Sequence, residues 1–161
     1  MLKGHTKDVV SIVYIKEREK LFSTSFDFTC RLWNFKTYQC EAVFKGFEEC
    51  VYNNSLYQID KDRVIVGGEH SFTIINIDKC VIEKEIRDEA LGLVRCFLML
   101  RDNRTILCGC GKGKMCFYNI VTQEYKITVD NHKNYINDLV AIDAHHFLSC
   151  SNDKTIKLWK Y

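Results

Sequence analysis

The 161-residue chain has no proline, two tryptophans and three methionines, and its net charge is only +2. Without proline no stretch is held as a stiff extended linker, and no low-complexity run interrupts the chain, so we read residues 1–161 as one domain. The 23 basic residues are scattered among 21 acidic ones, which leaves no cationic field of the kind a nucleic-acid partner needs. Apolar runs reach only about six residues, far short of the ~20 that span a bilayer as a helix. Met1-Leu2-Lys3-Gly4-His5 has no apolar core of signal-peptide type. The expectation is a cytoplasmic chain, with the nucleus also open, and neither a nucleic-acid nor a membrane partner.

What the sequence does hold is a period. Trp33 and Trp159 are separated by three steps of about 42 residues, and the bulky residues Ile75 and Tyr118 occupy the steps between. Asn34, Asn76 and Asn119 follow the first three, and Lys160 follows the last. Such spacing marks one supersecondary unit repeated. Within each unit, short segments rich in β-branched and aromatic residues alternate with turn formers. They fall at 9–14, 20–25, 29–34 and 40–45, then at 51–57, 63–66, 71–76 and 81–86. A third set falls at 94–100, 105–109, 114–119 and 124–129, and a fourth at 136–142, 146–151 and 155–159. Helices are excluded because the segments are too short and lack a 3.6-residue period. The pattern predicts an all-β propeller of about four blades, each of four antiparallel strands, with the fourth blade lacking its outermost strand. The blades are expected near 4–45, 46–87, 88–129 and 130–161.

Gly4-His5 followed by Ser23-Thr24-Ser25-Phe26-Asp27-Phe28-Thr29-Cys30-Arg31-Leu32-Trp33-Asn34 closely resembles a WD repeat. So does His132 followed by Ser149-Cys150-Ser151-Asn152-Asp153-Lys154-Thr155-Ile156-Lys157-Leu158-Trp159. The second unit keeps Glu69 at the turn acid, with Ser71 and Ile75, but has Phe47 in place of the histidine. The third has Lys112 in place of the acid. The resemblance implies a buried network in each well-matched blade: His5, Ser23 or Ser25, Asp27 and Trp33, then His132, Ser149 or Ser151, Asp153 and Trp159. It also implies a non-enzymatic scaffold that binds a peptide or protein on the narrow face. Contact candidates mapped from the family are Asp8, Val10 and Phe26, then Cys50, Tyr52 and Gly68. The later blades add Leu93, Arg95 and Gly111, then Tyr135, Asn137 and Asn152. A substrate-recognition module of a ubiquitin ligase or another multiprotein complex is the alternative within the same fold.

Other chemistry is weaker. A His-Ser-Asp set could be read as a hydrolytic triad, but here the set recurs as a tie within a blade. Gly109-Cys110-Gly111-Lys112-Gly113-Lys114 lacks the spacing of a phosphate loop and reads as a turn. Nine cysteines, an odd set without a secretory signal, are expected as free thiols packed like small apolar groups. Cys108, Cys110 and Cys116 could share a hairpin face, which makes a thiol- or metal-dependent enzyme the remote alternative. His145-His146 reads as a turn. No catalytic residue, metal or cofactor is assigned. Relatives with this repeat close rings of seven or eight blades, so four blades imply part of a longer propeller or a homodimer completing an eight-blade ring. A closed four-blade ring is the least favoured arrangement. Met1-Leu2-Lys3 lies where a strand completing the fourth blade could come from, but three residues make a poor strand.

Overall fold

A computed structural model describes residues 1–47, 55–128 and 132–161. Fifteen strands form four separate antiparallel sheets, taken in chain order. Blade one is β1 (Val9–Ile15), β2 (Lys20–Ser25), β3 (Cys30–Asn34) and β4 (Cys40–Phe44). Blade two is β5 (Leu56–Gln58), β6 (Arg63–Gly67), β7 (Ser71–Asn76) and β8 (Val81–Arg87). Blade three is β9 (Cys96–Met99), β10 (Thr105–Gly109), β11 (Met115–Asn119) and β12 (Tyr125–Thr128). Blade four has three strands, β13 (Ile136–Ala141), β14 (His146–Ser151) and β15 (Ile156–Lys160). The segment expected at 51–57 is described only from Ser55 onward, and its strand is Leu56–Gln58; residues 51–54 lie outside the described part. Met1–Lys3 form no strand, and Leu2 and Lys3 lie over blade one.

The first strands of successive blades are neighbours, β1 beside β5, β5 beside β9 and β9 beside β13, which arranges the sheets as an arc around one axis. The asparagines after the bulky step residues explain themselves in the turn between third and fourth strands. Asn34 Oδ1 accepts the amides of Lys36 and Thr37, Asn76 Oδ1 those of Asp78 and Lys79, and Asn119 Oδ1 those of Val121 and Thr122. A short side-chain acceptor at this place mimics a backbone turn. Lys160 stands where no fourth strand follows. An equivalent device closes the first hairpin of the later blades, where Asp60, Asp102 and Asp143 each accept two backbone amides.

Both faces of the middle sheets are covered, so their strands are apolar on both sides. Three cores fill the junctions. Blades one and two enclose Phe22, Leu32, Phe44, Val64, Val66 and Ile75. Blades two and three enclose Ile65, Phe72, Ile74, Phe97, Ile106 and Tyr118, with the Tyr118 ring meeting Phe72 edge-on at 5.2 Å. Blades three and four enclose Leu107, Met115, Ile136, Leu139 and Phe147, with Leu98, Phe117 and Trp159 against them. Each junction has one polarity: the face carrying the step residue (Ile75, Tyr118 or Trp159) packs on the opposite face of the blade before it.

Candidate functional site

Each well-matched blade is tied internally by a chain of hydrogen bonds. Trp33 Nε1 donates to Ser23 Oγ at 2.8 Å, Ser23 Oγ lies 2.8 Å from His5 Nε2, and His5 Nδ1 lies 2.9 Å from Asp27 Oδ2. In blade four the matching distances are 2.7 Å for Trp159 to Ser149, 2.7 Å for Ser149 to His132 and 2.8 Å for His132 to Asp153. One assignment satisfies every group. The indole donates to the hydroxyl, the hydroxyl donates to Nε2, and Nδ1–H donates to the carboxylate. Of the paired serines, Ser23 and Ser149 are the links. Ser25 and Ser151 instead hold the turn, donating to the carbonyls of Lys7 and Asn134 and accepting the amides of Asp27 and Asp153.

Two further members went unnamed in the sequence reading. Thr29 Oγ1 donates to Asp27 Oδ1, and Thr155 Oγ1 to Asp153 Oδ1, both at 2.6 Å. The signal was present as Asp-x-Thr at 27–29 and at 153–155. The amides of Thr6 and Thr29 also reach Asp27, and those of Lys133 and Thr155 reach Asp153. Burial opposes ionisation of both carboxyls, yet these donors outweigh it and hold both well below the ordinary carboxylate range. The arrangement of Ser, His and Asp is that of a hydrolase, but the hydroxyl accepts an indole N–H and both serines are buried. It is a clamp between strands.

The degenerate blades replace the clamp with packing. Phe47 is buried in the first junction core, and the Glu69 carboxylate lies 3.6 Å from the His70 ring. Glycines near Lys112 admit close backbones: a Cβ on Gly113 would stand 1.7 Å from the His132 carbonyl oxygen, and one on Gly111 2.8 Å from the Leu93 amide. The Gly109–Lys114 stretch is thus a turn wedged between backbones, with Lys112 at φ 56°. Cys108 pairs opposite Cys116 across the β10–β11 hairpin. Both, with Cys110, are buried in the second junction core. Burial pushes the Cys108 and Cys110 thiols up, away from the thiolate a metal or nucleophile requires. Among the described residues no group of three or more His, Cys, Asp and Glu is placed to hold a metal ion. His146 pairs with Asp143 within its turn at 2.9 Å.

The contact candidates gather along one rim, where the lead into each first strand meets the turn between the second and third. Phe26 N–H donates to the Asp8 carbonyl, Asn152 N–H to that of Tyr135, and Arg95 N–H to that of Gly109, each at 3.0 Å. Asp8, Phe26 and Tyr135 are exposed, the two rings by 41% and 39%. Arg95 sets its guanidinium over the Tyr135 ring, 5.9 Å from its centre. Asn137 donates to Asn152 at 2.6 Å. Val10 differs: it is half-buried against the first junction core. Gly68 and Gly111 are buried, and Leu93 is half-buried. Cys50 and Tyr52 lie outside the described residues. Arg95 and Asn137 hold equivalent places in adjacent blades, and each carries a solvent-shielded polar atom, Nε and Oδ1 respectively, without a hydrogen-bond partner.

Residues 1–34 and 123–160, the first and last blades, match the family described as WD domain, G-beta repeat. Pre-mRNA-processing factor 19 of Bos taurus, and that of Mus musculus, is 30% identical over 91 residues, which cover 56% of this chain and 18% of the relative. Zinc finger CCCH domain-containing protein 62 of Arabidopsis thaliana is 25% identical over 165 residues, covering 98% of this chain and 38% of the relative. The chain thus spans less than two fifths of the length of these curated relatives. Among solved structures, the computationally designed Ika4 protein superposes with a TM-score of 0.79 at 17% identity, over 99% of this chain and 95% of its own. The designed Ika8 protein superposes equally well over 99% of this chain and 48% of its own. At that identity the likeness is one of fold.

Proposed function

We propose that this chain, a WD-repeat β-propeller protein, is a non-enzymatic scaffold that receives an extended peptide segment of a protein partner along the narrow rim. The observation that carries this reading is the pair of unsatisfied atoms at matched positions in blades three and four. Arg95 Nε lacks an acceptor and Asn137 Oδ1 lacks a donor, although both are shielded from solvent. An unpaired buried polar atom costs roughly 1–3 kcal/mol. A peptide supplies both missing groups, a carbonyl or carboxylate for Arg95 and an amide for Asn137. The exposed Tyr135 and Phe26 rings beside them are of the residue type that anchors interfaces. The curated relative is named for pre-mRNA processing, which supports work within a multiprotein assembly and a nuclear as well as a cytoplasmic location.

Affinity capture from cell extract tests this. The Phe26→Ala, Arg95→Ala, Tyr135→Ala variant should lose partners that the unaltered chain recovers, while Lys84→Ala on β8, away from the rim, should keep them. Recovery of the same partners by the triple variant would remove the rim from consideration.

A further inference from the structure

The two end blades expose, at matching positions, the two halves of the interface that joins blades three and four. In that junction Leu98, Leu107, Met115 and Phe117 of blade three meet Ile136, Leu139, Phe147 and Trp159 of blade four. Strand register places Val140, Leu148, Ile156 and Leu158 of blade four where blade three has the first set. It also places Val9, Ile12, Leu21 and Trp33 of blade one where blade four has the second. Every one of these positions is apolar on both free faces, as it is at the junction.

Only coverage differs. Leu107 and Met115 are at most 1% exposed, whereas their counterparts Leu148 and Ile156 stand half-buried and 72% exposed. Leu139 is 6% exposed and its counterpart Ile12 is 68% exposed. Patches of this kind on a soluble protein mark a surface that meets another. Shape agrees with sequence: blade one carries a groove of about 470 Å³ lined by Lys7, Val9, Ile12, Leu21 and Trp33, and blade four presents Ile156 and Leu158 as projections. Charge agrees as well. At the blade three–four junction Cys96 Sγ reaches the Ile136 carbonyl at 3.8 Å. Asp138 holds the Cys96 position and Val9 that of Ile136, so the same docking sets the Asp138 carboxylate beside Val9 and Lys7.

We propose that the surface covering both faces is a second copy of this chain. Blade four of each copy seats on blade one of the other about a two-fold axis along the propeller axis. One chain supplies both complementary faces, so two copies bury all four, and the contact closes without leaving an open end. Two arcs of four blades make eight, at the upper end of the ~4–8 blades of known propellers.

The test is solution mass of the 161-residue chain by light scattering and sedimentation at micromolar concentration, where twice 18.9 kDa is expected. Ile12→Glu and Leu158→Lys, both at exposed positions and checked for unchanged β circular dichroism, should each be monomeric alone. Mixed one to one they should dimerise, because the mixed pair retains one unaltered blade-one to blade-four contact. A monomeric parent chain would overturn the proposal, as would open-ended growth with concentration. So would a variant that alone stays dimeric, since that outcome belongs to pairing of like faces.

Discussion

At the residue scale, the hydroxyl of Ser149 is the one atom that both the Trp159 indole and the His132 imidazole lean on. Ser149→Ala removes a partner from two groups at once and leaves a buried ring nitrogen unpaired. The expected loss is roughly 2–4 kcal/mol, at about 1–3 kcal/mol for each orphaned group. Ser151→Ala, which leaves the clamp intact, should lose about 1 kcal/mol. Urea unfolding of the two variants checks the order, and equal losses would contradict the linkage. The aspartates at the far end of each clamp make stability depend on acid. Their folded pKa lies below the unfolded value, so the contribution is whole above the ordinary carboxylate range and drains as pH falls through it and beyond. Replacing Asp27 and Asp153 together by Asn should lower stability at pH 7 and flatten its decline between about pH 5 and 2. Melting temperatures measured across that range decide it; an unchanged slope would place the acid sensitivity elsewhere.

At the scale of elements, the turn between the second and third strands takes the left-handed conformation in every blade without using glycine for it. Phe28, His70, Lys112 and Lys154 have φ of 61°, 56°, 56° and 70°. That is why the sequence offers no glycine signal for the turn type, although it does locate the turn through the acid that caps it. The strands were legible because each hairpin is bounded by polar residues and the bulky step residue recurs. The packing of Val10 was not, since an irregularity between Val9 and Ser11 breaks the two-residue alternation and turns the side chain toward blade two. The glycines of 109–113 were legible as a turn but not as a wedge, because the backbone they admit comes from the next blade. That wedge has a measurable consequence. Gly113→Ala puts a methyl group into the His132 backbone at φ 73°, and an unyielding contact of this kind should cost more than about 3 kcal/mol. Gly46→Ala has φ 94° but open space, so it should cost only the backbone strain, about 1–2 kcal/mol. Thermal unfolding of the pair separates close approach from conformational preference.

At the scale of the whole molecule, the three junction cores are unequal, and repeated units stacked in a line hold together through nearest neighbours. Blades two and three are each covered on both sides. Blades one and four each lend one face to a junction and leave the other exposed, and in blade four that face belongs to a sheet of only three strands. Local opening is expected where few apolar contacts must break. Amide hydrogen exchange should therefore run slowest in β6, β7, β10 and β11, and fastest among the strands in β15, whose Ile156 and Leu158 are 72% and 61% exposed. The same measurement carries a second prediction. If the end faces are covered by another copy, protection in β13–β15 and in β1 should rise with protein concentration, while that of β6, β7, β10 and β11 stays constant. Uniform protection across all four sheets would mean that the arc unfolds only as one unit, and would contradict the ranking of the blades drawn from their coverage.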